Sequence, residues 1–97
     1  VIKYEEYITS MDWINRCRRF FGDAPWCARR DCRRRYREGN VQIHHRTYER
    51  LGHERIEDLV PLCDEHHGEA HRSAERLEEQ GMAPAAALAR ATDLVLA

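Results

Sequence analysis

Apolar residues recur at helical spacing in two stretches of this chain and alternate in one short one. Trp13, Cys17, Phe20 and Phe21 mark the first helical stretch, which predicts a helix over about 10–21. Thr9 with Asp12 three residues on has the form of a capping box. Gly22 and then Pro25 close that helix. Residues 26–40 hold few apolar groups and end in the turn signal Gly39-Asn40. Val41-Gln42-Ile43 alternates and reads as a short strand running into His44-His45. After a loop containing Gly52, the residues Ile56, Leu59 and Val60 predict a second short strand, with Asp58 just before it or in the turn and Pro61 ending it. From Asp64 the pattern is helical to about Gln80, acidic at its start and stopped by Gly81. Pro84 suits the first turn of a last helix over about 84–96, with Leu88, Ala91, Leu94 and Val95 on one face. That helix is rich in alanine and apolar, so it is expected to pack on the core or on a partner. No repeat and no disordered linker interrupts the pattern, and residues 1–97 read as one α+β domain.

At 97 residues, with 34% of them charged, the chain is close to the smallest size that one apolar core supports, and a disulfide or metal staple is expected. No apolar run is long enough to span a bilayer and no signal peptide opens the chain. These readings lead to the expectation of a reducing cytoplasmic setting, where spaced cysteines and histidines serve as metal ligands. The net charge of −1 gives no general affinity for polyanions. The distribution does: nine arginines fall between Arg16 and Arg37, against Asp23 and Asp31. A basic surface on one part of the fold suits nucleic acid, and guanidinium groups suit bidentate contact with phosphate.

Cys27-x4-Cys32 is followed by Cys63-x2-His66. Two such pairs supply the four soft or borderline donors of a tetrahedral structural zinc. Cys17, on the apolar face of the first helix, is expected to be a core residue, and it is the fallback ligand if His66 is not the fourth. His44 and His45 are neighbours at a strand end, where side chains alternate between faces, so they suit two different roles. His67 and His71 lie four apart on a predicted helix and therefore on one face. His44, His67 and His71 make a three-histidine site with open positions for water and phosphate, the mark of a catalytic ion. His45, off the metal, can take a proton from an attacking water. His53, in the loop, is given no role.

The order His44-His45-Arg46-Thr47-Tyr48, Gly52-x-Glu54, then Glu57-Asp58-Leu59-Val60-x-Leu62-Cys63-x2-His66-His67-x3-His71 resembles the HNH endonucleases, including phage-type members with a zinc knuckle. The resemblance covers about Cys27 to His71. It implies a small ββα-metal core with a structural zinc over about 26–80, flanked by an N-terminal and a C-terminal helix. It also implies His44, His67 and His71 as ligands of a divalent ion (Mg, Mn, Ni or Zn), His45 as general base, and products carrying 5′ phosphate. The middle residue of the family motif, which steadies the base-bearing loop by hydrogen bonds, falls on Asp58, a departure from the family's asparagine. His66 is a second departure, standing where many relatives have a cysteine. The resulting expectation is an enzyme that hydrolyses phosphodiester bonds of double-stranded DNA, nicking it or cutting both strands, with weak sequence preference. Arg33, Arg34 and Arg46 would meet phosphates. One site cuts one strand, so a double-strand break would call for a homodimer or a larger assembly. Two other classes fit parts of the pattern: a zinc-stabilised DNA-binding module without activity, and an assembly protein that keeps the fold but not the chemistry.

Overall fold

The computed structural model describes residues 3–32, 34 and 40–97. Arg33 and Gly39 lie outside them.

A short helix, α1 (Tyr4–Tyr7), precedes α2 (Met11–Phe21). Ser10, rather than Thr9, caps α2, its hydroxyl accepting from the Trp13 backbone N–H at 3.2 Å. The Thr9 hydroxyl instead donates back to the carbonyl of Glu6. Gly22 ends α2 at φ 74°, in the left-handed region that glycine enters at little cost.

Among the described residues the sheet is one antiparallel pair, β1 (Val41–His45) and β2 (Leu59–Cys63), in a register that sets His45 opposite Leu59, His44 opposite Val60 and Val41 opposite Cys63. A 3₁₀ turn at Ile56–Asp58 leads into β2. The second strand therefore begins later than its hydrophobic pattern suggests, and Pro61 lies in its middle rather than at its end. A two-stranded sheet leaves each strand one free edge, and a proline is tolerated where its missing N–H faces away from the partner. The carbonyl of Pro61 is used: it accepts from the Ala28 N–H at 2.8 Å and so ties the cysteine-bearing segment to β2.

Helices α3 (Asp64–Glu79) and α4 (Pro84–Leu96) follow and pack along each other. Ala70 and Ala74 from α3 and Ala87 and Ala91 from α4 are buried, and such small side chains permit close approach of two helices. Leu88 and Val95 join this face, but Leu94, expected with them, is half exposed.

The hairpin has apolar matter on both faces. Val60, Leu62, Cys63, Ala70 and Val95 form one cluster with Cys27 and Val41. Leu59 packs with Tyr7 and Trp13 in another, flanked by Cys17, Phe20 and Ile43. Cys17 is thus a core residue of the α2 side, where burial pushes its thiol up to about 12. Because cross-strand partners share a face, His44 and Val60 point toward α3 and α4 while His45 and Leu59 point toward α1 and α2. No helix is long and apolar enough to cross a membrane among the described residues.

Candidate metal centres and a buried histidine

Cys27, Cys32, Cys63 and His66 form one cluster, their ligand atoms all within 4.8 Å of one another. Cys27 and Cys32 come from a turn closed by the Cys32 N–H on the Arg29 carbonyl, with Asp31 at φ 64°. Cys63 ends β2 and His66 lies in the first turn of α3. His66 turns Nδ1 toward the cluster, 3.2 Å from Cys63 Sγ and 3.5 Å from Cys27 Sγ. Around a tetrahedral zinc with ordinary bond lengths, sulfur and nitrogen ligands stand roughly 3.6 Å apart. His66 Nε2 lies 3.5 Å from Glu65, the type of outer partner that holds a ligating imidazole in place. Burial pushes the Cys27 thiol up to about 11. Burial also raises Cys63, but the backbone N–H groups of His66 and Glu65 and the neighbouring thiols outweigh it and hold that thiol below its ordinary value. The donor set, the separations and the outer partner all fit a zinc ion. Cys17 takes no part.

A second cluster joins His44 from β1 to His67 and His71 from α3, again within 4.8 Å. The two helix imidazoles approach through their Nε2 atoms at 3.0 Å. His44 stands edge-on to both, its ring centre 5.1 Å from that of His67 and 5.2 Å from that of His71. Burial holds His44 down to about 3, with the charges of His67 and His71 adding to the shift. Burial likewise lowers His67, reinforced by His71. Three imidazoles with ring nitrogens gathered this closely are a donor set for a divalent transition ion. His44 Nε2 is 3.0 Å from the Thr92 hydroxyl of α4.

His45 occupies the other face. It is 3% exposed and stacks on Trp13, with ring centres 4.8 Å apart, and on Tyr48, at 5.1 Å. Its Nε2 meets Glu54 Oε2 at 2.8 Å. Glu54 is itself buried and accepts from the Tyr7 hydroxyl at 2.7 Å and from Arg16 at 3.3 Å. Burial alone would raise the Glu54 carboxyl, but the hydrogen bonds from Tyr7 and His45 hold it below the usual carboxylate range. Tyr7 is pushed up to about 12 by burial and by Glu54, so it remains a proton donor. An ionised Glu54 accepts from His45, which places the imidazole proton on Nε2 and leaves Nδ1 as its basic atom. A cleft of about 360 Å³ runs along β1 and is lined by His44, His45 and His67 together, with Tyr4, Trp13 and Tyr48 on its wall. His44 and His45 thus border one opening although they face opposite sides of the sheet, and His71 lies outside its lining.

Asp58 lies away from this cleft. It is 2% exposed and pairs with the Arg50 guanidinium and the Arg55 backbone N–H, while its carbonyl accepts from the Arg46 N–H at 2.7 Å. Asp58 therefore closes the 46–58 loop. The carboxylate that orients a histidine is Glu54, which the residue pattern carried without a role. Its signal was an acidic residue nine positions after His45, too common a spacing to single out. Arg34 sits beside Cys63 Sγ at 3.9 Å and Glu65 at 3.4 Å, over the cysteine cluster. Arg46 pairs with Asp93 of α4 at 3.3 Å. Both are partly exposed but already paired with carboxylates. His53 is exposed.

No family model, no curated protein and no solved structure matches this chain.

Proposed function

We propose that this chain is a metal-dependent endonuclease of the HNH type, hydrolysing phosphodiester bonds of DNA. The observation that carries the reading is the gathering of His44, His67 and His71 with ligand atoms within 4.8 Å of one another, two of them, His44 and His67, bordering a cleft that His45 also lines. A divalent ion held by those three imidazoles would supply positive charge for the scissile phosphate and the leaving oxygen. Glu54 keeps the His45 proton on Nε2, and Tyr7 and Arg16 keep Glu54 ionised and in place. His45 Nδ1 accepts a proton from the attacking water. As the new P–O bond forms, the bond to the 3′ oxygen breaks and that oxygen takes a proton from solvent, leaving a 5′ phosphate. The cysteine cluster, holding zinc, keeps the hairpin and the start of α3 together. Arg46 adjoins the base on β1 and can exchange Asp93 for a phosphate at small cost, since exposed ion pairs contribute little.

A second reading is favoured by the burial of His45. A histidine stacked on two aromatic rings and bonded to a carboxylate can also be a core residue of a zinc-stabilised binding or assembly module. Plasmid nicking over a panel of divalent ions, run with His45→Ala and with metal counting, separates the two. The nuclease reading expects two metal sites per chain and ion-dependent nicking that the substitution abolishes. One bound zinc and no nicking with any ion would overturn it.

A further inference from the structure

We infer that Thr92, on the C-terminal helix, is a positioning residue of the three-histidine centre: it holds His44 with a proton on Nε2 and so reserves Nδ1 for the ion. The inference rests on the metal-centre reading given above and assigns α4 a part in that centre.

The argument is one of donors and acceptors. Thr92 is fully buried, on a helix face otherwise made of Ala87, Leu88, Ala91 and Val95. A hydroxyl in such a place must be hydrogen-bonded or it costs stability, and a valine would fill the same space without that requirement. The hydroxyl lies 2.8 Å from the carbonyl oxygen of Leu88. A carbonyl only accepts, so the single hydroxyl proton is directed there. Toward His44 Nε2, 3.0 Å away, the Thr92 oxygen can then only accept. Nε2 must carry the imidazole proton, and the ring keeps one lone pair, on Nδ1. His44 is 1% exposed and has the rings of His67 and His71 against it. Flipping the imidazole would put a carbon where Nε2 now meets Thr92, so the same hydrogen bond fixes both tautomer and orientation. Outer partners of this kind govern ligand affinity because a misprotonated or rotated imidazole must be reset before it can bind.

The test uses the full chain carrying one zinc per molecule. Long-range ¹H–¹⁵N correlation of the imidazoles reads the tautomer without any second ion. His44 is expected to carry its proton on Nε2 in the parent and in Thr92→Ser, and to lose that preference in Thr92→Val. Calorimetric titration with Ni²⁺ then reads the centre itself. Thr92→Val is expected to weaken Ni²⁺ about 10- to 100-fold, and Thr92→Ser, which retains the hydroxyl, to bind like the parent. A parent His44 protonated on Nδ1, or equal Ni²⁺ affinity in parent and Thr92→Val, would overturn the inference and leave the metal-centre reading standing. An equal loss in Thr92→Ser would also overturn it, by showing that shape rather than the hydroxyl matters. A parent that binds no Ni²⁺ beyond its zinc would remove the metal centre, and the inference with it.

Discussion

Glu54→Gln is the substitution that separates the charge of the buried carboxylate from its shape. Glu54 accepts from Tyr7, Arg16 and His45 with its side chain 1% exposed. Glutamine has one acceptor oxygen. If that oxygen stays with Tyr7 and Arg16, the amide N–H₂ faces His45 Nε2, donor against donor. The clash is relieved when His45 moves its proton to Nδ1, which then ceases to be a base. A hydrogen bond to a charged group contributes about 1.5–3 kcal/mol and a neutral one about 0.5–1.5. Arg16 is itself charged, so its bond stays of the first kind; exchanging the other two, from Tyr7 and His45, costs roughly 2–3 kcal/mol. For a domain of this size each kcal/mol shifts Tm by about 4–8 °C, so Tm should fall by roughly 10–20 °C. Cleavage should fall further, since loss of a correctly protonated base costs about 10²- to 10⁴-fold. The pH dependence supplies an internal check. The folded-state value of Glu54 lies below its ordinary one, so its contribution is complete above about pH 4.3 and is lost as pH falls through the folded value. Glutamine should remove that acid-side slope. The assay is thermal melting by circular dichroism at about pH 7 and at several acidic pH values, with plasmid nicking below both melting temperatures. An unchanged Tm and unchanged nicking would refute the reasoning, and a lower Tm with full nicking would confine Glu54 to a structural part.

Chelation of zinc, or Cys27→Ser, should abolish the cooperative melt, because a structural zinc contributes about 10–16 kcal/mol against a total stability of about 5–15; an unchanged melt would refute the zinc. In protein without an ion at the three histidines, His44 is held near 3 by burial and by its histidine neighbours. Its neutral form favours the fold above about pH 6.5, and stability should fall with pH below that by up to about 1.4 kcal/mol per unit. A slope that persists undiminished in His44→Gln would exclude this origin. Asp58, lowered by its hydrogen bonds from Arg50 against the opposing effect of burial, contributes above about pH 3.9 and loses its contribution as pH falls through the folded value. Asp58→Asn should therefore lower Tm at neutral pH and narrow the difference from the parent in acid, and a difference independent of pH would count against the ion pair.

Much of the frame was legible because it is local. The apolar spacing of α2 and α4 and the acid-to-glycine run of α3 each mark a helix within a few residues of its bounds. His67 and His71 share a face through helical periodicity alone, and the set of three cysteines and His66 was readable from donor type and spacing. The start of β2 was misplaced because Ile56 is as apolar as a strand residue, yet it lies in a 3₁₀ turn and is half exposed. Pro61 misled because its usual meaning holds for strands paired on both sides, and among the described residues β2 pairs in the sheet with β1 alone.

What stayed hidden is long-range. Glu54 receives Tyr7 across 47 positions, and Thr92 reaches His44 across 48. No local period encodes such pairs, since they exist only once α1, the 46–58 loop and α4 have closed on the hairpin. The chain's own order thus decided which donors exist and which neighbours share a face. Packing decided that one of two adjacent histidines opens toward α3 while the other is enclosed by aromatic rings. The physical reason is that strand geometry dictates only that the two must diverge, and the matter on each side of the sheet gives each its charge, its proton and its reach.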